Sequence, residues 1–329
     1  MSIDIELLRS EFHRDYATYK DLADRVREDL KKALRSRGIF ASCEGRPKDE
    51  GSFIRKAIRK SAGSDESFDS LTDITDRAGV RAIVSLREEA EQARVLIGSE
   101  FLVREFQDTR NRLAADQLGY LGLHFLVELH PDRCTRDQQH LRGRVCEIQI
   151  HTYAQHAWSS VSHPLLYKPV GGVTSDEIAR RVNRSVALID IFDDEIEAAR
   201  KVVMTDPAYR PAAMLNTLET EFLTITPRDF DPGLSLAILE VVKQAYDTDE
   251  LNSFSSLIEV FVHGIRESLE ILFEQYKLDE AAHPLLFQPE VIAIFERLRN
   301  SPARLRAAWM NDGKFGKELL DSLSAVLGI

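Results

Sequence analysis

Between residues 7 and 34 apolar side chains recur every three or four positions, at Leu7, Leu8, Phe12, Tyr16, Tyr19, Leu22, Val26, Leu30 and Leu34. That spacing predicts one long amphipathic helix over residues 1–37, with Gly38 as its natural stop. A second helix is expected over residues 51–61, carrying Phe53, Ile54, Ala57 and Ile58 on one face and Ser52, Arg55, Lys56, Arg59 and Lys60 on the other. The Gly, Ser and Asp residues of 61–70 predict a loop. The period then drops to two, and residues 79–86, 119–129 and 144–150 are expected to be strands, with a helix over 87–97 between the first two. Helical spacing returns at 152–161 and 175–203, and everything after Pro207 reads as helices punctuated by proline and glycine. Strands are therefore confined to the first 150 or so residues. The expected fold is an α/β (α+β) domain with a mixed sheet flanked by helices, followed by an all-α domain. The prolines of MTDPAYRP place the boundary, giving domains 1–205 and 206–329.

Composition narrows the function classes. With 43% hydrophobic and 29% charged residues the chain of 329 residues has ordinary globular composition rather than that of a disordered segment. Its net charge of -11, concentrated after residue 200, excludes DNA or an anionic membrane held by the overall field, so any polyanion must be met by a local basic patch. Three cysteines without a C-x-x-C pair form no disulfide framework, the N-terminus lacks the pattern of a secretion signal, and no apolar run approaches the ~18 residues of a membrane span. These features predict a cytoplasmic protein.

Four segments carry candidate chemistry. In GRPKDEGSFIRKAIRKS, residues 45–61, Arg46 and Lys48 precede a helix whose polar face holds Ser52, Arg55, Lys56, Arg59 and Lys60. Cations and a hydroxyl at a helix N-terminus suit a triphosphate, and the same pattern also suits a solvated face. Asp76 stands just before a strand that alternates Val80, Ala82 and Val84 with Arg81, Ile83 and Ser85. An aspartate there is a position for a magnesium ligand or, equally, for a turn cap. Period two sets Tyr120, Gly122 and His124 on one strand face, where a flat base could stack over the glycine. Glu147, Gln149 and His151 share a face of the last strand, with Glu147 open to a role as base or second metal carboxylate and the whole face open to being solvated.

In their order and spacing these segments resemble the synthetase domain of the RelA/SpoT family, the alarmone synthetases that move pyrophosphate from ATP to the 3′-hydroxyl of GDP or GTP. The resemblance runs from about Gly45 to Lys168. RPKDEGSFIRK (46–56) is similar to the family's RPKxxxSxxRK, DRAGVR (76–81) to DxxGxR and GYLGLH (119–124) to GYxSxH. EIQIHT (147–152) and HAWSSVSHPLLYK (156–168) are similar to the motifs that close the site. The resemblance implies a nucleotidyltransferase-like fold in which Arg46 and Arg81 sandwich adenine and Lys48, Ser52, Arg55 and Lys56 hold the ATP phosphates. It implies that Asp76 binds Mg²⁺, that Tyr120 stacks on the acceptor base, and that His124 helps place the acceptor. Glu147 is implied to position or deprotonate the attacking hydroxyl and to share the metal, with Gln149, His156 and Lys168 supporting the acceptor side. The chemistry suits these residue types, because displacement at phosphorus is catalysed mainly by positioning and charge neutralisation.

The sequence departs from that pattern in three places. Gly122 replaces a serine, His151 replaces an arginine, and Asp116 stands roughly where a lysine would meet the acceptor phosphates, with Arg110 and Arg112 nearby. A carboxylate beside a diphosphate is repulsive. An alternative acceptor therefore stays open, an adenosine nucleotide or the 3′ end of tRNA, with Arg133, Arg136, Arg142 and Arg144 as phosphate contacts. A third reading is a nucleotide-sensing module without turnover, against which stands the presence of both Asp76 and Glu147. Too few residues precede the motifs for the family's hydrolase domain, so synthesis without hydrolysis is expected. The acidic helical region is expected to regulate the site, to mediate homo-oligomerisation or to bind a partner.

Overall fold

The computed structural model describes residues 5–62, 74–109, 122–166, 176–279 and 281–328. The chain divides into two compact units, residues 1–198 and 199–329.

In the first unit helix α1 (Ile5–Arg35) buries the stripe Leu22, Val26, Leu30 and Leu34 and ends at Gly38, whose φ of 72° lies in the left-handed region that glycine tolerates. There follow β1 (Ser42–Gly45), α2 (Glu50–Ala62), β2 (Ala78–Val84), α3 (Arg87–Glu100), β3 (Leu102–Asp108), β4 (Leu123–Glu128), β5 (Cys146–Thr152), α4 (Tyr153–Leu166) and α5 (Asp176–Thr205). The division between the units falls inside α5. The five strands form one mixed sheet in the order β1-β2-β5-β4-β3, with β2 and β5 parallel and the other neighbours antiparallel. A mixed sheet flanked by helices is what the pattern predicts. The strands β1 and β3, at the two sheet edges, are additions to the three expected from the sequence.

Alternation sorts the sheet into two faces. One face sends Val80, Ala82, Val84, Phe125, Val127, Ile148 and Ile150 into a core closed by α1 and by Ala93 and Ile97 of α3. The opposite face holds rungs of polar residues in register. One rung runs Gln107, His124, Gln149, Arg81 and Glu44 across all five strands. Its neighbour runs Glu105, Leu126, Glu147 and Gly79. A third contains His151 opposite Ile83, both buried. Helix α2 is started by Asp49, whose side chain accepts the Ser52 amide at 2.8 Å. The helix is held by Phe53 and Ala57, which pack with Leu8 and Ile74, so its cationic face turns away from this small core. Helix α5 is tied to the start of α3 by Arg87, which reaches Asp190 and Asp194 at 2.8 Å and Asp193 at 3.4 Å.

The second unit is helical throughout its described residues: α6 (Arg210–Ile225), α7 (Pro232–Val242), α8 (Thr248–Asn252), α9 (Phe254–Gln275), α10 (Val291–Asn300), α11 (Pro302–Asp312) and α12 (Lys317–Leu327). Its core surrounds α10, which is buried from Val291 to Leu298. Arg297 is buried there because Glu296 and Glu250 pair with it at 2.5 and 2.7 Å and the Tyr246 ring lies 4.1 Å away. Among the described residues no helix is long and apolar enough to cross a membrane.

Glu290 has no cation of that kind beside it, only the nearby Ser235 hydroxyl and the charge of Glu219. It is 0% exposed, and burial outweighs what polar neighbours offer and pushes its carboxyl up to about 7. The folded state therefore holds a proton that the unfolded chain releases near pH 4.5, and stability falls as pH rises from there to about 7. Glu290→Gln is expected to remove that slope and to stabilise the protein above pH 7 by about 3 kcal/mol, read from denaturant midpoints across pH.

Candidate functional site

The polar face of the sheet, the cationic face of α2 and the side of α4 line an open cavity of about 840 Å³. Arg46, Lys48, Ser52, Arg55, Lys56, Asp76, Arg81, Glu147 and Gln149 line it. Six of these are the expected ATP-binding residues and two are the expected carboxylates, gathered from stretches of the chain up to a hundred residues apart.

Each is positioned by an identifiable local cause. Arg46 follows β1 and exchanges backbone hydrogen bonds with Gly79, at 2.6 and 3.1 Å, which carries it across the end of β2. A Cβ at Gly79 would stand 3.2 Å from the Arg46 carbonyl oxygen, so the glycine allows this close approach and keeps the floor beside Glu147 flat. Lys48 and Lys56 converge on Asp76, their Nζ atoms 2.5 and 2.9 Å from Oδ2. Burial alone would raise the Asp76 carboxyl, but the hydrogen bonds and charges of the two lysines outweigh it and hold the group below its ordinary range. The other oxygen, Oδ1, is buried without a hydrogen-bond partner. An acceptor left open in that way, in a cavity shared with a second carboxylate, fits a hard divalent cation.

Glu147 lies opposite Gly79 on one side and Leu126 on the other. Its Oε1 is 3.1 Å from Nδ1 of His124, and since a carboxylate can only accept, Nδ1 carries the proton. Burial acts to raise the Glu147 carboxyl, yet the His124 bond and charge and a bond from Gln149 leave it lowered, with the Asp76 charge acting in the opposite sense. Arg81 donates through Nη2 to Gln149 at 3.4 Å and meets Nδ1 of His156 on α4 at 3.3 Å. Burial, with the charges of Arg81 and Arg46, lowers the His156 imidazole, so it stays neutral and accepts from Arg81. Gln149 and His156 thus attach to the Arg81 side of the cavity.

A second, smaller cavity of about 160 Å³ adjoins the first and shares Lys56, Asp76 and Glu147 with it. His124 lines it, as do Thr75, Glu105 and Gln107, the last two bonded to each other. Glu105 and Gln107, on β3, and Ser159, Ser160 and Ser162, on α4, are site residues that no motif marks, whereas Arg59, expected on the cationic face of α2, lines the larger cavity. Tyr120 and Lys168 lie outside the described residues, as do Arg110, Arg112 and Asp116. Three of the arginines considered for tRNA phosphates are engaged within the fold, Arg133 with Glu100, Arg142 with Gln139 at 2.8 Å and Arg144 with the Tyr19 hydroxyl at 3.4 Å.

Comparison with known proteins agrees with the motifs. Residues 45–171 match the family model described as the region found in RelA / SpoT proteins. GTP pyrophosphokinase YjbM of Bacillus subtilis is 28% identical over 159 residues, covering 47% of this chain and 70% of that protein. Among solved structures, small alarmone synthetase 1 from Bacillus subtilis overlays with a TM-score of 0.49 at 22% identity, over 59% of this chain and 98% of that one. A GTP pyrophosphokinase family protein from Streptococcus pneumoniae gives 0.48 at 21%, over 62% and 97%. Residues 45–171 thus carry the region found in RelA / SpoT proteins.

The lysine pair on Asp76 can be tested without turnover. Asp76 competes with any phosphate for Lys48 and Lys56, so Asp76→Asn should bind inorganic tripolyphosphate about tenfold more tightly, or ~1.4 kcal/mol, in calorimetry with chelator present. Weaker binding in that variant would show that the lysines do not face the phosphate.

Proposed function

We propose that the first unit is a nucleotide pyrophosphokinase, which transfers the β,γ-pyrophosphate group of ATP to the 3′-hydroxyl of GDP or GTP and releases AMP. The observation that carries this reading is the pair of adjoining cavities that meet at Asp76 and Glu147. The larger is lined by cations and has room for a nucleoside triphosphate. The smaller holds His124 and opens on the same two carboxylates. A donor and an acceptor bound in these spaces would react at their junction. The match to the RelA/SpoT region and the GTP pyrophosphokinase named among the relatives support the same reaction.

In this reaction the acceptor's 3′-oxygen attacks the β-phosphorus and forms a new P–O bond. The bond between that phosphorus and the oxygen bridging to the α-phosphate breaks, and AMP leaves with the electron pair. Lys48, Ser52, Arg55 and Lys56 bind and neutralise the phosphate oxygens, and Arg46 and Arg81 flank the adenine. Arg81 is kept in its plane by Gln149 and His156. Glu147, ionised at neutral pH and fixed by His124, orients the 3′-hydroxyl and accepts its proton. A carboxylate held this low is a weak base, so its proton arrives late in the displacement, when the oxygen has already bonded to phosphorus. Asp76, joined by Glu147, would hold a Mg²⁺ ion, which when bound supplies charge neutralisation across the phosphate oxygens.

Glu147→Gln keeps the hydrogen-bonding shape and removes the proton acceptor. It should leave ATP affinity unchanged and lower AMP release by about 10²–10⁴-fold. The measurement is AMP formation from labelled ATP with Mg²⁺ and, in parallel, GDP, GTP, ATP or tRNA as acceptor. Wild-type turnover with GDP or GTP is expected. Turnover with only ATP or tRNA would move the acceptor assignment, and normal turnover in Glu147→Gln would reject the role given to that residue.

A further inference from the structure

The two departures inside the strand motifs, Gly122 and His151, are neighbours in space. Residue Leu123 pairs with Ile150 at the end of the β4–β5 ladder, and one step further Gly122 meets His151. Backbone conformation does not explain the glycine, since Gly122 is not among the positive-φ glycines. Space does. A Cβ built at Gly122 would fall 2.5 Å from Cε1 and 2.8 Å from Nδ1 of the His151 ring, and 3.3 Å from the Ile150 carbonyl oxygen. The His151 imidazole therefore occupies the volume that a side chain at 122 would take, and there it is 0% exposed. The Gly122 carbonyl is itself pinned, accepting from the Thr109 amide at 3.1 Å and its hydroxyl at 3.0 Å.

The buried ring also meets the acceptor side. His151 and His124 are edge to face, their centroids 6.1 Å apart and their planes at 87°. His124 then donates from Nδ1 to Glu147 at 3.1 Å. A chain of contacts thus runs from the side-chain-free position 122 through His151 to His124 and on to Glu147. The χ rotation of His124 decides whether its Nδ1–H points at Glu147.

We infer that Gly122 and His151 act as one positioning device for the acceptor half of the site, His151 filling the glycine's vacant volume and wedging His124 in the rotamer that orients Glu147. The inference deepens the pyrophosphokinase reading and rests on it for its kinetic consequence. Neither residue touches the reacting atoms. A side chain at 122 and the ring at 151 exclude each other, so their substitutions must be coupled.

The test reads His124 directly, by two-bond proton–nitrogen correlation spectra of the imidazoles in the full chain, together with AMP release. Four proteins are compared: wild type, Gly122→Ala, His151→Ala and the double variant. The wild type should show His124 with its proton on Nδ1. Both single variants should lose that fixed pattern, and the double variant should match His151→Ala, because the added methyl then meets no ring. In AMP release both single variants should lose about 10²-fold in kcat with KM for ATP unchanged, the scale expected from misplacing a reacting group by ~1 Å. An unchanged His124 pattern in His151→Ala overturns the proposal. So does a double variant in which the two effects simply add. If Gly122→Ala does not fold, His151→Ala, which only removes atoms, still decides the matter through the His124 spectrum. A wild type that releases no AMP with any acceptor would refute the pyrophosphokinase reading, while the imidazole spectra would still report whether the device exists.

Discussion

The parallel pairing of β2 with β5 is the constraint on which the rest of the site depends. It sets Gly79 beside Glu147 and Arg81 beside Gln149. Residues about seventy positions apart in sequence thus share two rungs of one sheet. Parallel neighbours need a long connection, and here the intervening chain supplies α3, β3 and β4. The antiparallel β4 then slots onto the far edge of β5 and brings His124 to Glu147. A one-residue slip of β5 would turn Glu147 into the core and Ile148 into the site. The apolar residues Cys146, Ile148 and Ile150, all fully buried, make that slip costly. The core side of the sheet therefore fixes the chemistry on its other side.

Much of this was legible in the sequence because it follows period and spacing. The two faces of α2 are set by Phe53 and Ala57 against Arg55 and Lys56, and the alternation in β2, β4 and β5 assigns Arg81, His124 and Glu147 to one side. What period cannot supply is register. Nothing in the string of residues says that Gly122 meets His151, or that Gln149 stands between Arg81 and Glu147. Edge strands were also illegible. β1 (SCEG) alternates over only four residues and buries none of them fully, and β3 (LVREFQD) places four exposed residues in a row, so neither stands out as a strand. Glu105 and Gln107 were missed for that reason.

Electrostatics divides the labour between the two carboxylates. Asp76 has lysines on one oxygen and none on the other, a half-satisfied arrangement that suits a group with a further ligand to take. Glu147 is tied to histidine and glutamine and suits a group that must keep a fixed direction. The second unit solves its buried charges differently. Arg297 is fully paired, whereas burial makes Glu290 hold its proton until pH approaches about 7. That contrast separates a unit built around a reactive cleft from one whose polar groups serve its own packing.

On this reading donor phosphates and acceptor hydroxyl meet between Asp76 and Glu147. The most direct measurement is a crystal structure of the full chain with Mg²⁺ and a non-hydrolysable ATP analogue. The triphosphate should lie along Lys48, Ser52, Arg55 and Lys56, with adenine at Arg81 and the β-phosphorus facing Glu147. An analogue bound outside this cavity, or one whose β-phosphorus is turned away from Glu147, would contradict it.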